Sequence, residues 1–262
     1  FQSWPTGTTA PGEGEIVVGG VTDNSPYGIL RKISSVESEG SGYICATETA
    51  TLEEVILQGK INLQEVKLSS SRVKSIKLEP GVKINPSKSP DLLGFDLSFM
   101  QELDDAGEAI VYGSLYFELG FNFSLDVSVG DVDLKASIDA IQSSTLGLNA
   151  TGNWSGKTIK IGEIEFVPWV IQVGPVPVVF VPKATLILKA DGGLSVDVET
   201  FTSESFNREL GISYDDEWSL INEWEPAPTY EIQWPVITGD AEFSLSCGPE
   251  VSLKLYGQAG PY

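Results

Sequence analysis

Between residues 111 and 129 the apolar side chains fall on odd positions: Val111, Leu115, Phe117, Leu119, Phe121, Phe123, Leu125, Val127 and Val129, with Gly113 in the remaining slot. The even positions carry Tyr112, Ser114, Tyr116, Glu118, Gly120, Asn122, Ser124, Asp126 and Ser128. A helix repeats its apolar positions every three or four residues, so a period of two held this long predicts a β-strand. If continuous it would reach about 60 Å, and Gly113 and Gly120 are where it could kink or bulge. At Gly130-Asp131 the phase reverses, because Val132, Leu134, Ala136, Ile138 and Ala140 are even. A tight turn exchanges the two faces in this way, so 111–140 predicts a long hairpin.

Elsewhere the pattern is shorter or less regular. A second hairpin is expected around Asp191-Gly192-Gly193, entered by 185–189 and left through Leu194, Val196 and Val198. The stretch FVPWVIQVGPVPVVFVPK (166–183) is apolar but carries Pro168, Pro175, Pro177 and Pro182. Proline removes ladder donors, so this segment reads as a buried crossing between sheets with strands on either side of GPVP. Between 15 and 88, short strands are expected at EIVVGGV, GYICAT, LEEVILQG, KINLQEVKL, RVKSIKL and GVKI. In KINLQEVKL, Ile61, Leu63, Glu65 and Lys67 share a parity, so the alternation is untidy. Helical signals are weak throughout, and the best is Ser89-Pro90-Asp91, a cap followed by proline at the first helical position. NPSKSPD (85–91) is the best internal boundary.

These patterns predict an all-β fold: an elongated antiparallel β-sandwich or curled sheet with long strands and little or no helix. Residues 1–14, rich in Gly, Pro and Thr with Trp4 as anchor, read as an extended arm or linker. Residues 15–88 form a β-rich N-terminal part, continuous with a main sandwich over 89–262. A membrane barrel would need evenly spaced strands of about ten residues, which the charged, irregular stretches 60–88 and 200–231 do not supply. No run of 18 apolar residues exists, which excludes a transmembrane helix.

Composition narrows the chemistry. Among 262 residues there is no histidine, so a Ser-His-Asp triad, a histidine-activated cysteine and a histidine metal site are all excluded. The formal charge of -21 argues against nucleic acid and against an anionic membrane surface. The excess is uneven: residues 1–88 hold 10 acids and 9 bases, and the remaining 27 acids and 7 bases lie in 89–262. Lys60, Lys67, Arg72, Lys74, Lys77, Lys83 and Lys88 form a basic stripe. Such lysines either protect solvated strand edges or meet an acidic surface, in this chain or on a neighbouring copy.

Four constellations are candidates for function. Tyr214, Trp218, Trp224, Tyr230 and Trp234, beside Asp215, Asp216, Glu217, Glu223, Glu225 and Glu231, have the residue types of a glycan-binding surface. There, rings cover the apolar sugar face and carboxylates accept its hydroxyl protons. Asp131, Asp133, Asp215 and Asp216 are the candidate calcium ligands, calcium being the sole cofactor the composition suggests, and none follows the EF-hand pattern. Glu163 and Glu165 in GEIEF share a strand face, a spacing similar to acidic catalytic strands of β-sandwich glycanases, although the third acidic position is Val167 here. Cys45 and Cys247 would form a disulfide tying the first strands to the last, or else stay as two buried free thiols. Asn122, Asn149 and Asn153 begin N-glycosylation sequons, the latter two in an expected loop over 147–157.

The functional expectation is a non-enzymatic secreted or cell-surface protein, structural or adhesive: a sheath, fibre, surface-layer or adhesin subunit. It would assemble through β-edge and charge-complementary contacts with itself or with other extracellular proteins. The alternative is an extracellular carbohydrate-binding module using the 214–234 aromatics. A two-carboxylate glycoside hydrolase is the one enzyme class that the composition readily tolerates.

Overall fold

The computed structural model describes residues 10–257, apart from 41, 53, 86–93, 104–108, 129–130, 151–153, 195–197, 216, 225–228 and 234–241. In 154–156, 191–194, 198–202, 204, 206, 218, 224, 229–233 and 242–243 the backbone alone is described. The chain opens on an antiparallel meander of β1 (Ile16–Gly19), β2 (Ile29–Glu39) and β3 (Gly42–Thr49). β4 (Gly59–Lys67) enters a large main sheet and β5 (Val73–Leu78) a second one, with the 3-10 turn Ser70–Arg72 between them. β6 (Val82–Ile84), β7 (Phe95–Glu102), β8 (Ala109–Ser128) and β9 (Asp131–Ala150) continue the main sheet. The chain then builds the second sheet with β10 (Trp154–Phe166), β11 (Trp169–Val173) and β12 (Val176–Leu194). β13 (Val198–Asp215), β14 (Glu217–Trp224) and β15 (Thr229–Gln233) return to the main sheet, and β16 (Glu242–Leu255) completes the second.

Every strand pair in the three sheets is antiparallel, and the fold is all-β. The β8–β9 hairpin forms as its pattern predicts. Ala109 pairs with Ala150 and Ser128 with Asp131, with no register shift at Gly113, Gly120 or anywhere between. Twenty residues at the usual rise make each strand about 65 Å long. The predicted kinks are absent because both glycines stay in the ladder. At Gly113 a Cβ would lie 2.0 Å from the Thr145 carbonyl oxygen, so that position tolerates only glycine. Phe117, Phe121 and Phe123 turn inward and are fully buried, with Phe121 against Trp169 (4.6 Å between ring centroids) and Phe123 against Phe180 (4.8 Å). Those contacts join the two sheets into one sandwich core, which Leu30, Leu52 and Ile56 of the N-terminal region also enter.

Several expectations are corrected. Asp191-Gly192-Gly193 is not a turn: β12 runs through it, and Gly192 pairs with Phe243 of β16. Pairing along both edges of β12 outweighs local turn chemistry. Segment 166–183 is no crossing between sheets but the β11–β12 hairpin, in which Val173 pairs with Val176 around Gly174 at φ 59°. The expected loop 147–157 is largely strand, because β9 extends to Ala150 and β10 begins at Trp154. LEEVILQG forms no strand, while β2 was not anticipated because its ILRKISSVESE run mixes apolar and charged residues without clean alternation. The untidy parity of β4 is a bulge between Leu63 and Val66, where Glu65 adopts φ 53° and Val66 takes over the core-facing phase. Within the expected arm, the Gly14 amide donates to the Ile33 carbonyl at 2.8 Å. Residues 1–9 and the Ser89-Pro90-Asp91 cap lie outside the described residues.

Candidate functional site

The strand that distinguishes one side of the sandwich is β16. It pairs with β12 through its whole length, and no described strand pairs with its other edge. β16 packs over β9, whereas the main sheet continues past it with β13 and β14. One cross-strand row follows this overhang: Phe123 opposite Ala136, Ala136 opposite Ile212, and Ile212 opposite Leu220. All four share the core-side face. Exposure rises along the row from 1% at Phe123 and 3% at Ala136 to 83% at Leu220, because the second sheet no longer covers it. A groove of about 220 Å³ results, with Ile138, Leu210 and Leu220 as its apolar floor and Val251 and Leu253 of β16 as its wall. Arg208 and Asn222 line its rim and hydrogen-bond each other, Nε to Oδ1, at 3.0 Å. Farther along β16, the Gln142 side chain donates to the Cys247 carbonyl at 2.6 Å and ties that part of the strand to β9.

The opposite face of the main sheet is acidic. Cross-strand register places Asp126 opposite Asp133, Asp133 opposite Asp215, and Asp215 opposite Glu217. Lys60 closes the row, 2.5 Å from Asp126, and its ammonium pKa is raised by that hydrogen bond and charge. Of the candidate calcium ligands, the structure therefore brings Asp133 and Asp215 together. Asp131 sits opposite Ser128, and Asp216 is outside the described residues. Asp126 and Glu217 were missed because register places them, and no sequence spacing does. The carboxylates follow one another across strands about 4.8 Å apart. Among the described residues no group of three or more Asp, Glu or Cys side chains converges to hold a metal ion.

A second polar cleft, of about 260 Å³, lies on the same face around the β4 bulge. Asn122 accepts from the Glu65 amide at 2.8 Å and donates to Asp139 at 2.7 Å. Glu209 accepts from Ser137 at 2.6 Å and lies 2.9 Å from Lys135. The amide nitrogen of the Asn122 sequon is thus engaged within the sheet face. Asn149 is exposed on β9, and Asn153 lies outside the described residues.

On the outer face of the second sheet, Glu163 is held between Lys160 and Lys183, the latter at 3.0 Å. Hydrogen bonds from these lysines pull its pKa down to about 2. Glu165 accepts from Ser75 at 3.2 Å, and Val167 is exposed. Glycoside hydrolysis needs one carboxyl that holds its proton near neutral pH, and Glu163 is driven in the opposite direction.

Cross-strand register distributes the aromatic candidates along β13. Tyr214 pairs with Trp218, Trp224 with Arg208 and Tyr230 with Glu204, at three stations along β13. Tyr214 is half-buried, in the core-side row with Leu134, and Trp234 is outside the described residues. The expected disulfide is not formed: Cys45 lies on β3 of the meander, and Cys247 is buried on β16 of the second sheet. The basic stripe is divided. Lys60 serves the acidic row, Arg72 stacks on Trp169 (5.6 Å to the centroid), and Lys74 lies over Tyr27 (5.4 Å). No helix among the described residues is long and apolar enough to cross a membrane. No protein-family model, curated protein or solved structure matches this chain.

Proposed function

We propose that the protein is a non-enzymatic structural or adhesive subunit, secreted or displayed on a cell surface, which assembles by strand addition to β16. The observation that carries this reading is the open edge of β16 lying beside an apolar overhang of the main sheet. An unpaired strand edge presents alternate N–H and C=O groups to an incoming strand, and an apolar floor beneath it binds every second side chain. Pro249 removes one donor and divides the strand into 242–248 and 250–255, the second of which includes the groove wall. The absence of histidine supports the non-enzymatic part.

Native mass by light scattering and sedimentation, with electron microscopy of the same samples, tests the proposal. Oligomers or fibres are expected from the full chain. A full chain that stays monomeric at every concentration overturns the assembly reading.

A further inference from the structure

We infer that a pocket on the outer face of the second sheet holds the acidic group of an anionic polysaccharide, with Lys74, Lys183 and Lys254 around its carboxylate or sulfate. This does not depend on the assembly reading, because β16 presents alternate residues to the two places: Val251 and Leu253 to the groove, Ser252 and Lys254 to this pocket.

Register builds the site. Lys183 of β12 stands opposite Ser252 of β16 on one side and Glu165 of β10 on the other, and Lys254 stands opposite Val181. Lys254 and Lys183 are therefore diagonal neighbours, about 7–8 Å apart at the backbone, within reach of one shared anion. Lys74 enters from β5 and lies over the ring of Tyr27, 5.4 Å from its centroid. Gly257 completes the wall: a Cβ there would meet the Tyr27 ring at 3.0 Å, so bare backbone is what lets the ring lie so close. The enclosed volume is about 180 Å³.

Charge selects an anion. Among the described residues, three lysines and one carboxylate, Glu165, line the pocket, in a chain whose net charge is -21. Glu165 already accepts from Ser75 at 3.2 Å, and Lys183 is shared with Glu163 at 3.0 Å. No carboxylate among the described residues pairs with Lys254. Like charges held this close repel, and an oxyanion between them relieves the repulsion and accepts their hydrogen bonds. The wider field of the protein turns anions away, so a local excess of positive charge is where one can settle.

Shape selects a sugar. Val181 and the Tyr27 ring set apolar surface beside the ammonium groups, and Ser252 adds a hydroxyl. A uronate or sulfated sugar pairs an apolar ring face with an acid and hydroxyls in the same way. Lysines act as point charges that serve carboxylate and sulfate alike, without the planar fork that arginine would impose.

Calorimetric titration of the full chain with polygalacturonate, dextran sulfate and uncharged dextran tests the assignment. Binding of either charged chain is expected, and none of dextran. Lys254→Gln, at an ammonium with no ion pair to lose, is expected to bind about tenfold more weakly, the effect of one charge-assisted hydrogen bond. Lys83→Gln makes the same charge change on β6 of the main sheet and is expected to bind as the wild type does. Equal weakening by the two variants would reduce the effect to overall charge and overturn the pocket, as would binding of dextran or failure of both charged chains. Sodium sulfate that binds as tightly as dextran sulfate, counted per sulfate group, would leave an inorganic anion site and overturn the polysaccharide.

Discussion

Glu163 accepts from two ammonium groups while its own backbone lies between β12 and β5, so its carboxylate is held ionised. Its pKa falls from 4.5 to about 2, which fixes the sign of its pH dependence. A depressed folded-state pKa contributes stability that is complete above about pH 4.5 and is lost as pH falls towards 2. Glu163→Gln is therefore expected to lower stability by about 1 kcal/mol at pH 7, where charge-assisted hydrogen bonds are lost. In urea titrations at pH 7, 4.5 and 3, the gap between variant and wild type should narrow only at the most acid point. A gap constant across all three would mean that the loss arises from packing. The sequence showed that Glu163 and Glu165 share a face, because parity along one strand is local information. It did not show the lysines, which reach Glu163 from across a bulge at Lys160 and from the next strand at Lys183.

Long strands convert single residues into rows. Asp133 faces Asp126 on one side and Asp215 on the other, and like charges directly opposite are each unfavourable by a few tenths of a kcal/mol. Asp133→Asn is expected to raise stability by about 0.5–1 kcal/mol at low ionic strength. The gain should shrink in about 1 M salt, where screening acts within about 3 Å. Denaturant midpoints at the two salt concentrations measure it, and an equal gain in both would rule out charge repulsion as the cause. The odd and even segregation over 111–140 was legible because both edges of that hairpin are close in sequence. Asp191-Gly192-Gly193 was misread because its ladder partners, Ser155 on β10 and residues 242–244 on β16, are distant in sequence. The overhang was illegible for the same reason: Leu220 looks like any apolar residue of a strand until the second sheet is seen to stop at β16.

At the scale of the molecule, two forces act on association with opposite salt dependence. The net charge of -21 pushes copies apart, and in the proposed assembly burial of the apolar groove beside β16 draws them together. Added salt screens the repulsion and leaves apolar burial intact, so assembly followed by light scattering is expected to strengthen between about 0.01 and 0.5 M salt. Had the lysines of 60–88 met an acidic face on a neighbour, salt would dissolve the assembly instead. Their use within the chain, at Asp126 and Tyr27, favours the first outcome.

The way the chain alternates between the sheets also governs how the sandwich comes into being. The β8–β9 ribbon can zip outward from its own turn, but β4 must find β8 and β5 must find β10 across 57 and 90 positions, as Glu65–Asn122 and Ser75–Glu165 illustrate. Such distant closures slow folding and prolong the life of half-built intermediates. Until β12 has recruited β16, its bare flank is itself a template for pairing. A nascent chain thus presents a sticky border before the groove beside β16 exists.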